Sequence, residues 1–333
     1  MARGNRSKPP GERTEEERER DREEREHHHR LRAHRRDGHG GWFTVTPARI
    51  GALLVLALVV ALGAVVLARA LRSSGARPRP TAIVRVVKVV IPEGENRLQI
   101  AEIAKAEGLT GSYRKAAKRS PLLNPTTYGA PRGTPDLEGF LFPATYEMDA
   151  GAPVSRLVAE QLTAFRERFG HDEIKRAHEL HVTPYQLLTV ASMVEREAQL
   201  PGDRAKIAAV IYNRLRIGMP LGIDATLYYA VEEARGIATD THELTESQLH
   251  IDSPYNTRTR HGLPPTPISN PGMASIEAAA HPAHVPYLYY VAGADGCGEQ
   301  VFSTTFARFE RDAAAYDAAV KKNGGKPPVC KRK

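Results

Sequence analysis

Between Ile50 and Ala68 the chain carries no charged or strongly polar side chain: IGALLVLALVVALGAVVLA. At 1.5 Å per residue, a helix of that length comes close to the roughly 30 Å hydrocarbon core of a bilayer. Trp42 and Phe43 stand just before the run, at the depth of a membrane interface. A signal peptide is the competing reading, but the long stretch ahead of the run and its length favour an uncleaved anchor. Charge leaves the orientation close to a tie. Arg30, Arg32, Arg35, Arg36 and Arg49 precede the span, and Arg69, Arg72, Arg77 and Arg79 follow it.

This run divides everything else. Residues 1–49 mix Arg and Glu with few apolar side chains, and such a segment cannot bury enough surface to offset its ordering entropy. The run His27, His28, His29 reads as solvated rather than metal-binding. Residues 72–82 (RSSGARPRPTA) form a Pro/Gly/Ser/Arg linker. Beyond it, VRVVKVVIPEG alternates like a strand, and Asn96 caps a short helix that ends at Gly108. Residues 110–136 are rich in Pro, Gly, Lys and Arg and read as loop. Val154, Val158, Leu162, Phe165 and Phe169 mark one helix face. PYLYYVA and QVFSTT read as a β-hairpin, and FARFERDAAAYDAAV as a closing amphipathic helix.

The chemistry-bearing stretch runs from Pro184 to Tyr229. Thr183 is a good N-cap, Pro184 suits the first helical position, and Gln186 completes a capping-box spacing. Leu187, Val190, Ala191, Val194 and Ala198 predict a buried stripe, and Pro201 stops the helix near Leu200. A second helix carries Ile207, Val210, Ile211 and Leu215 on one face, with Gly218 as its terminal cap. Glu195 and Glu197 lie about 200° apart around the first helix and flank its stripe on opposite sides. Periodicity leaves the two level. Either is placed where burial would keep a carboxylic acid protonated near neutral pH, and either also fits an ordinary solvated charge.

Several blocks in register resemble one family. VASMVEREA, then DRAKIAAVIYNRLRIGMPL, IDATLYY, SPYNTRTRHGLPPTPISNPG, AAAHP and PYLYYVA, with LEGFLFPATY upstream, are similar to the core of the YceG-like (MltG) endolytic murein transglycosylases. The resemblance covers roughly residues 86–320. It implies an α+β protein with one N-terminal transmembrane helix (50–71) and a small LysM-like βα module with its loop (83–136). A catalytic domain of helices and a β-hairpin (137–322) and a basic tail (323–333) follow. It also implies a single-pass cell-membrane protein, with residues 1–49 cytoplasmic and the catalytic domain on the outer face. The substrate would be peptidoglycan glycan strands, with synthases of the elongation machinery as partners and no cofactor. The family's catalytic acid falls on Glu197; Glu138, Asn213, Asp224, Thr226, Tyr255 and Asn256 fall on motif positions that hold substrate. The chain departs from the family pattern at Ala144, where Asp is common, and at Gly222 and Ala225, where Gln and Pro are common around Asp224.

One carboxylate suffices for this chemistry because the nucleophile, the 6-hydroxyl of the N-acetylmuramic acid, is already part of the substrate. Two other classes stay open. A wall-binding scaffold needs no acid, and a hydrolase needs a second carboxylate, with Asp224 or Glu195 the candidates.

Net charge is +8, but the cations are spread through the chain and no nucleic-acid motif accompanies them. HELH at 178–181 has its histidines three apart, not four, and so misses the zinc-protease spacing. Cys297 and Cys330 have no metal spacing. They are expected to pair if this part of the chain meets oxidising surroundings.

Overall fold

A computed structural model describes residues 47–73, 85–238 and 244–330. It falls into two compact units, one ending at Thr81 and one beginning at Ala82. In the first, α1 (Pro47–Ser73) is a 27-residue helix, and its described side chains, residues 54–70, are all exposed. Among the described residues no helix is long and apolar enough to cross a membrane. The expected span at 50–71 is therefore present as a helix without being established as a membrane segment. The expected tail, with its histidine run, and the expected linker fall almost wholly outside the described residues.

The second unit opens with β1 (Val86–Val90), α2 (Arg97–Ala106), α3 (Tyr113–Ala116) and β2 (Thr145–Asp149). Valine at four of the five positions of β1 suits a pleated, half-buried edge. The strands pair antiparallel with Val89 opposite Tyr146, and both of those side chains are buried. Asn96 caps α2 as expected. Its side-chain oxygen accepts from the N–H of Leu98 and Gln99 at 2.9 and 3.1 Å, and Gln99 accepts from the Asn96 N–H at 2.8 Å. The strand that completes this βααβ unit lies beyond the boundary expected at 136/137. The module and the segment after it consequently share one core.

The aromatics of LEGFLFPATY go into that core, where Phe140 meets Phe165 edge-on at 5.0 Å. Gly139 makes the turn possible. Its φ is +87°, and a Cβ there would sit 2.5 Å from Pro267. Next come α4 (Val154–Arg168), α5 (His171–Glu179), α6 (Pro184–Glu197), α7 (Arg204–Arg216), α8 (Asp224–Arg235), α9 (Glu246–Leu249) and α10 (Met273–Ala280). A hairpin of β3 (Tyr289–Ala292) and β4 (Gln300–Ser303) and the closing helix α11 (Phe306–Lys322) finish the unit. His178 and His181 are exposed at the end of α5.

Helix α6 is the centre of the unit and packs against α5, α7, α8 and α10. Thr183 and Gln186 form the expected capping box. Two details differ from the sequence reading. From Pro184 to Val194 every residue except Gln186 is buried, so the helix has no solvent face opposite the predicted stripe. Thr189 and Ser192 tolerate this by donating back to the carbonyls of Tyr185 and Thr189, at 2.9 and 2.8 Å. The helix also ends at Glu197 rather than Leu200, because Ala198 already has an extended backbone with ψ of 112°.

What covers the second side of α6 is the Pro-rich loop at 264–272. The Ile268 N–H donates to Ser192 Oγ at 3.0 Å, and Ser269 Oγ donates to the Ser192 carbonyl at 3.1 Å. At the far end, Cys297 in the hairpin loop is bonded to Cys330. The returning chain lies so close that a Cβ on Gly296 would sit 2.1 Å from the Pro328 carbonyl oxygen.

Candidate active site

The last turn of α6 sends its two carboxylates to different surroundings. Glu195 points toward the start of α10. Its Oε2 accepts from the Gly272 N–H at 2.9 Å, and Arg204 lies 3.7 Å from Oε1. Only 7% of the side chain is exposed, so Glu195 caps one helix and pairs with another. Glu197, the last residue of α6, is half-buried. Tyr290 on β3 donates its hydroxyl to Glu197 Oε2 at 3.0 Å, and the Ala225 N–H in the first turn of α8 donates to the same carboxylate. Of the two acids, it is the one held between a strand tyrosine and the start of α8.

Burial pushes the Glu197 carboxyl above the ordinary carboxylate range, and the charge of Asp224 adds to that. The Tyr290 hydroxyl, the Ala225 N–H and the Arg196 charge pull the other way, and the net direction is up. A larger fraction of Glu197 therefore carries its proton near neutral pH than for a solvated glutamate. Burial, and next the Glu197 charge, hold the Tyr290 phenol well above its usual range, so it acts as a fixed donor. Arg214 steadies this strand. It donates to the Leu288 carbonyl at 2.6 Å and to the Leu221 carbonyl, and its guanidinium lies 5.3 Å from the centre of the Tyr289 ring.

Of the six residues expected to hold substrate, Asp224 is the one whose charge acts on Glu197. Its side chain is 48% exposed, and its Oδ1 accepts from Nε and Nη2 of Arg258 at 2.9 and 2.6 Å. The other five spend their polar atoms on the protein. Asn213 donates to the carbonyls of Val285 and Tyr287 at 2.9 and 2.8 Å. Thr226 donates to the Ile223 carbonyl at 2.7 Å and meets Thr257 at 2.9 Å. Asn256 donates to the carbonyls of Leu249 and Ile251, at 3.2 and 3.0 Å. The Tyr255 hydroxyl meets Thr266 at 2.9 Å.

Glu138 is fully buried. It accepts from the Arg97 N–H, from Asn270 Nδ2 at 2.7 Å and from the Tyr229 hydroxyl at 3.3 Å. Burial, with Asp136 beside it, pushes its carboxyl up to about 8 against those donors.

Tyr290, Arg258 and the Ala225 N–H escaped the sequence reading. Tyr290 lies within PYLYYVA, a block read as a strand and as part of the family resemblance, with no role given to any of its residues. The Ala225 N–H exists because this chain departs from the common proline; proline there would have no proton to donate. Among the described residues no group of His, Cys, Asp or Glu is placed to hold a metal ion.

Residues 65–315 match the model of the YceG-like family. An endolytic murein transglycosylase of Bacillus subtilis (strain 168) is 38% identical over 184 residues, which are 54% of this chain and 48% of that protein. One from Streptococcus pneumoniae serotype 2 is 32% identical over 231 residues, 61% of this chain and 40% of its own. The chain thus spans about half the length, or less, of these curated relatives. A yceG-like protein from Listeria monocytogenes, known from a 2.6 Å crystal structure, superposes with a TM-score of 0.59 at 31% identity, covering 67% of this chain and 75% of that one. The family match spans well over half of the chain, and the chain belongs to the YceG-like family.

Proposed function

We propose that this chain is a membrane-anchored endolytic lytic transglycosylase that cleaves the β-1,4 bond between N-acetylmuramic acid and N-acetylglucosamine in nascent peptidoglycan strands. The observation that carries the reading is Glu197: a half-buried carboxyl with a raised pKa, held at a helix end by a tyrosine donor. Protonated Glu197 gives its proton to the glycosidic oxygen as the bond to C1 breaks. The resulting carboxylate takes the proton of the 6-hydroxyl while that oxygen closes on C1. The product is a 1,6-anhydro ring, no water is consumed, and Glu197 ends as it began.

A second reading, hydrolysis of the same bond, is favoured by Asp224 lying near enough to influence Glu197. Its pairing with exposed Arg258 argues against it as the base or nucleophile. Mass analysis of digested uncrosslinked glycan strands separates the readings. Transglycosylation gives anhydro ends, hydrolysis gives ends heavier by one water, and a wall-binding scaffold gives no cleavage.

The charge-free run within α1 supports a single-pass anchor, with residues 1–49 in the cytoplasm and the catalytic part outside. Elongation synthases would be partners in strand termination. The βααβ unit around α2 fits a LysM-like module. Protease added to intact spheroplasts is expected to digest the C-terminal part and spare the N-terminal tail; the opposite pattern overturns the topology.

A further inference from the structure

From Gly108 to Pro135 the chain has no acidic residue, while it carries Arg114, Lys115, Lys118, Arg119 and Arg132. That is a local block of one sign. The fold gathers part of it around a cavity of about 360 Å³, whose wall includes Lys118, Arg119, Ser120, Asn124 and Thr126. Four donor groups there are unspent, those of Lys118, Arg119, Ser120 and Asn124. Neither the Lys118 ammonium nor the Arg119 guanidinium makes an ion pair or hydrogen bond among the described residues, and both residues are exposed. Ser120 Oγ accepts from the Leu122 N–H at 3.2 Å, which leaves its own proton free. Asn124 uses its carbonyl oxygen to accept from Thr126 N–H and Oγ1, at 3.1 and 2.9 Å, which leaves its NH₂ free.

We infer that this cavity is an anion site that takes a phosphate or pyrophosphate group. An ammonium, a forked guanidinium, a hydroxyl and an amide NH₂ around one concavity match several oxygens on a tetrahedral centre. No carboxylate is among the residues that line the cavity, so none there competes with an anion. The inference goes beyond the cleavage reaction and does not rest on it.

The test is calorimetric titration of the full-length chain, in neutral detergent at low ionic strength, with inorganic pyrophosphate. A saturable one-to-one isotherm is expected, weakened at least tenfold in the double variant Lys118→Ser/Arg119→Ser. The charge-matched pair Lys321→Ser/Lys322→Ser, in the last turn of α11, is expected to leave it unchanged. Equal weakening by both pairs, or no saturable binding by the wild type, overturns the site, whatever Glu197 does. Short-chain dihexanoyl phosphatidylglycerol identifies the source. Displacement of pyrophosphate by it assigns the site to lipid-borne phosphate, and no displacement assigns it to phosphate on a soluble ligand. Unaltered thermal unfolding of the double variant is the control for folding.

Discussion

Glu197→Gln is expected to leave a folded protein that forms 1,6-anhydro ends about 100- to 10,000-fold more slowly, the usual loss on removing an acid–base catalyst. In free energy that is roughly 3–5 kcal/mol of transition-state stabilisation. With its oxygen toward Tyr290 the amide keeps that bond, so the side chain stays in place while the proton cycle is lost. Glu195→Gln is the matched control. Glutamine keeps an oxygen for the Gly272 N–H and loses only the charge facing Arg204, so most activity should survive. Cleavage at the wild-type rate by Glu197→Gln, with a dead Glu195→Gln, would reverse the assignment, and normal cleavage by both would remove the mechanism. Tyr290→Phe adds a pH signature. It deletes a donor that favours the ionised carboxylate, so the Glu197 pKa rises further. The high-pH limb of the rate profile, where the acid loses its proton, should then move to higher pH.

How far such a site can be read from sequence depends on the range of the interactions that make it. The caps at Thr183 and Asn96 were legible because each is closed by residues three positions on. The division of labour between Glu195 and Glu197 was not. Periodicity says only that they point apart, and what each meets comes from distant chain: Gly272 on one side, Tyr290 and Ala225 on the other. The substrate-facing reading of Asn213, Thr226 and Asn256 has the same origin. Amides and hydroxyls beside a site look alike in sequence whether they meet a sugar or a backbone carbonyl. Here Asn213 donates to the Val285 and Tyr287 carbonyls, Thr226 to that of Ile223, and Asn256 to those of Leu249 and Ile251. The buried second side of α6 was hidden because its cover is an irregular proline-rich loop, which has no period to detect.

That loop makes the second large prediction, Asn270→Ala, expected to cost about 3–5 kcal/mol of the 5–15 kcal/mol that typically holds a domain together. Asn270 is fully buried, and its side chain joins three segments. Its Oδ1 accepts from the N–H groups of Gly139 and Leu141, both at 2.9 Å, and its Nδ2 donates to the Glu95 carbonyl at 3.0 Å and to Glu138 at 2.7 Å. Alanine strands two buried backbone donors, at about 1–3 kcal/mol each, and removes one donor from the Glu138 carboxylate. The damage reaches the candidate site through the chain itself, since the segment that holds Asn270 also ties down Ser192 and Glu195 on the helix that ends at Glu197.

Asn270→Asp sharpens the test. It keeps the acceptor but sets a second carboxyl against Glu138, so the new group's folded pKa lies above its unfolded value of about 4. By linkage the folded form then binds the extra proton, and stability falls as pH rises above about 4. Urea unfolding at several pH values should therefore show a nearly constant loss for Asn270→Ala and a loss that grows with pH for Asn270→Asp. An Asn270→Ala midpoint within 1 kcal/mol of wild type would mean that the loop is held by its backbone and prolines alone.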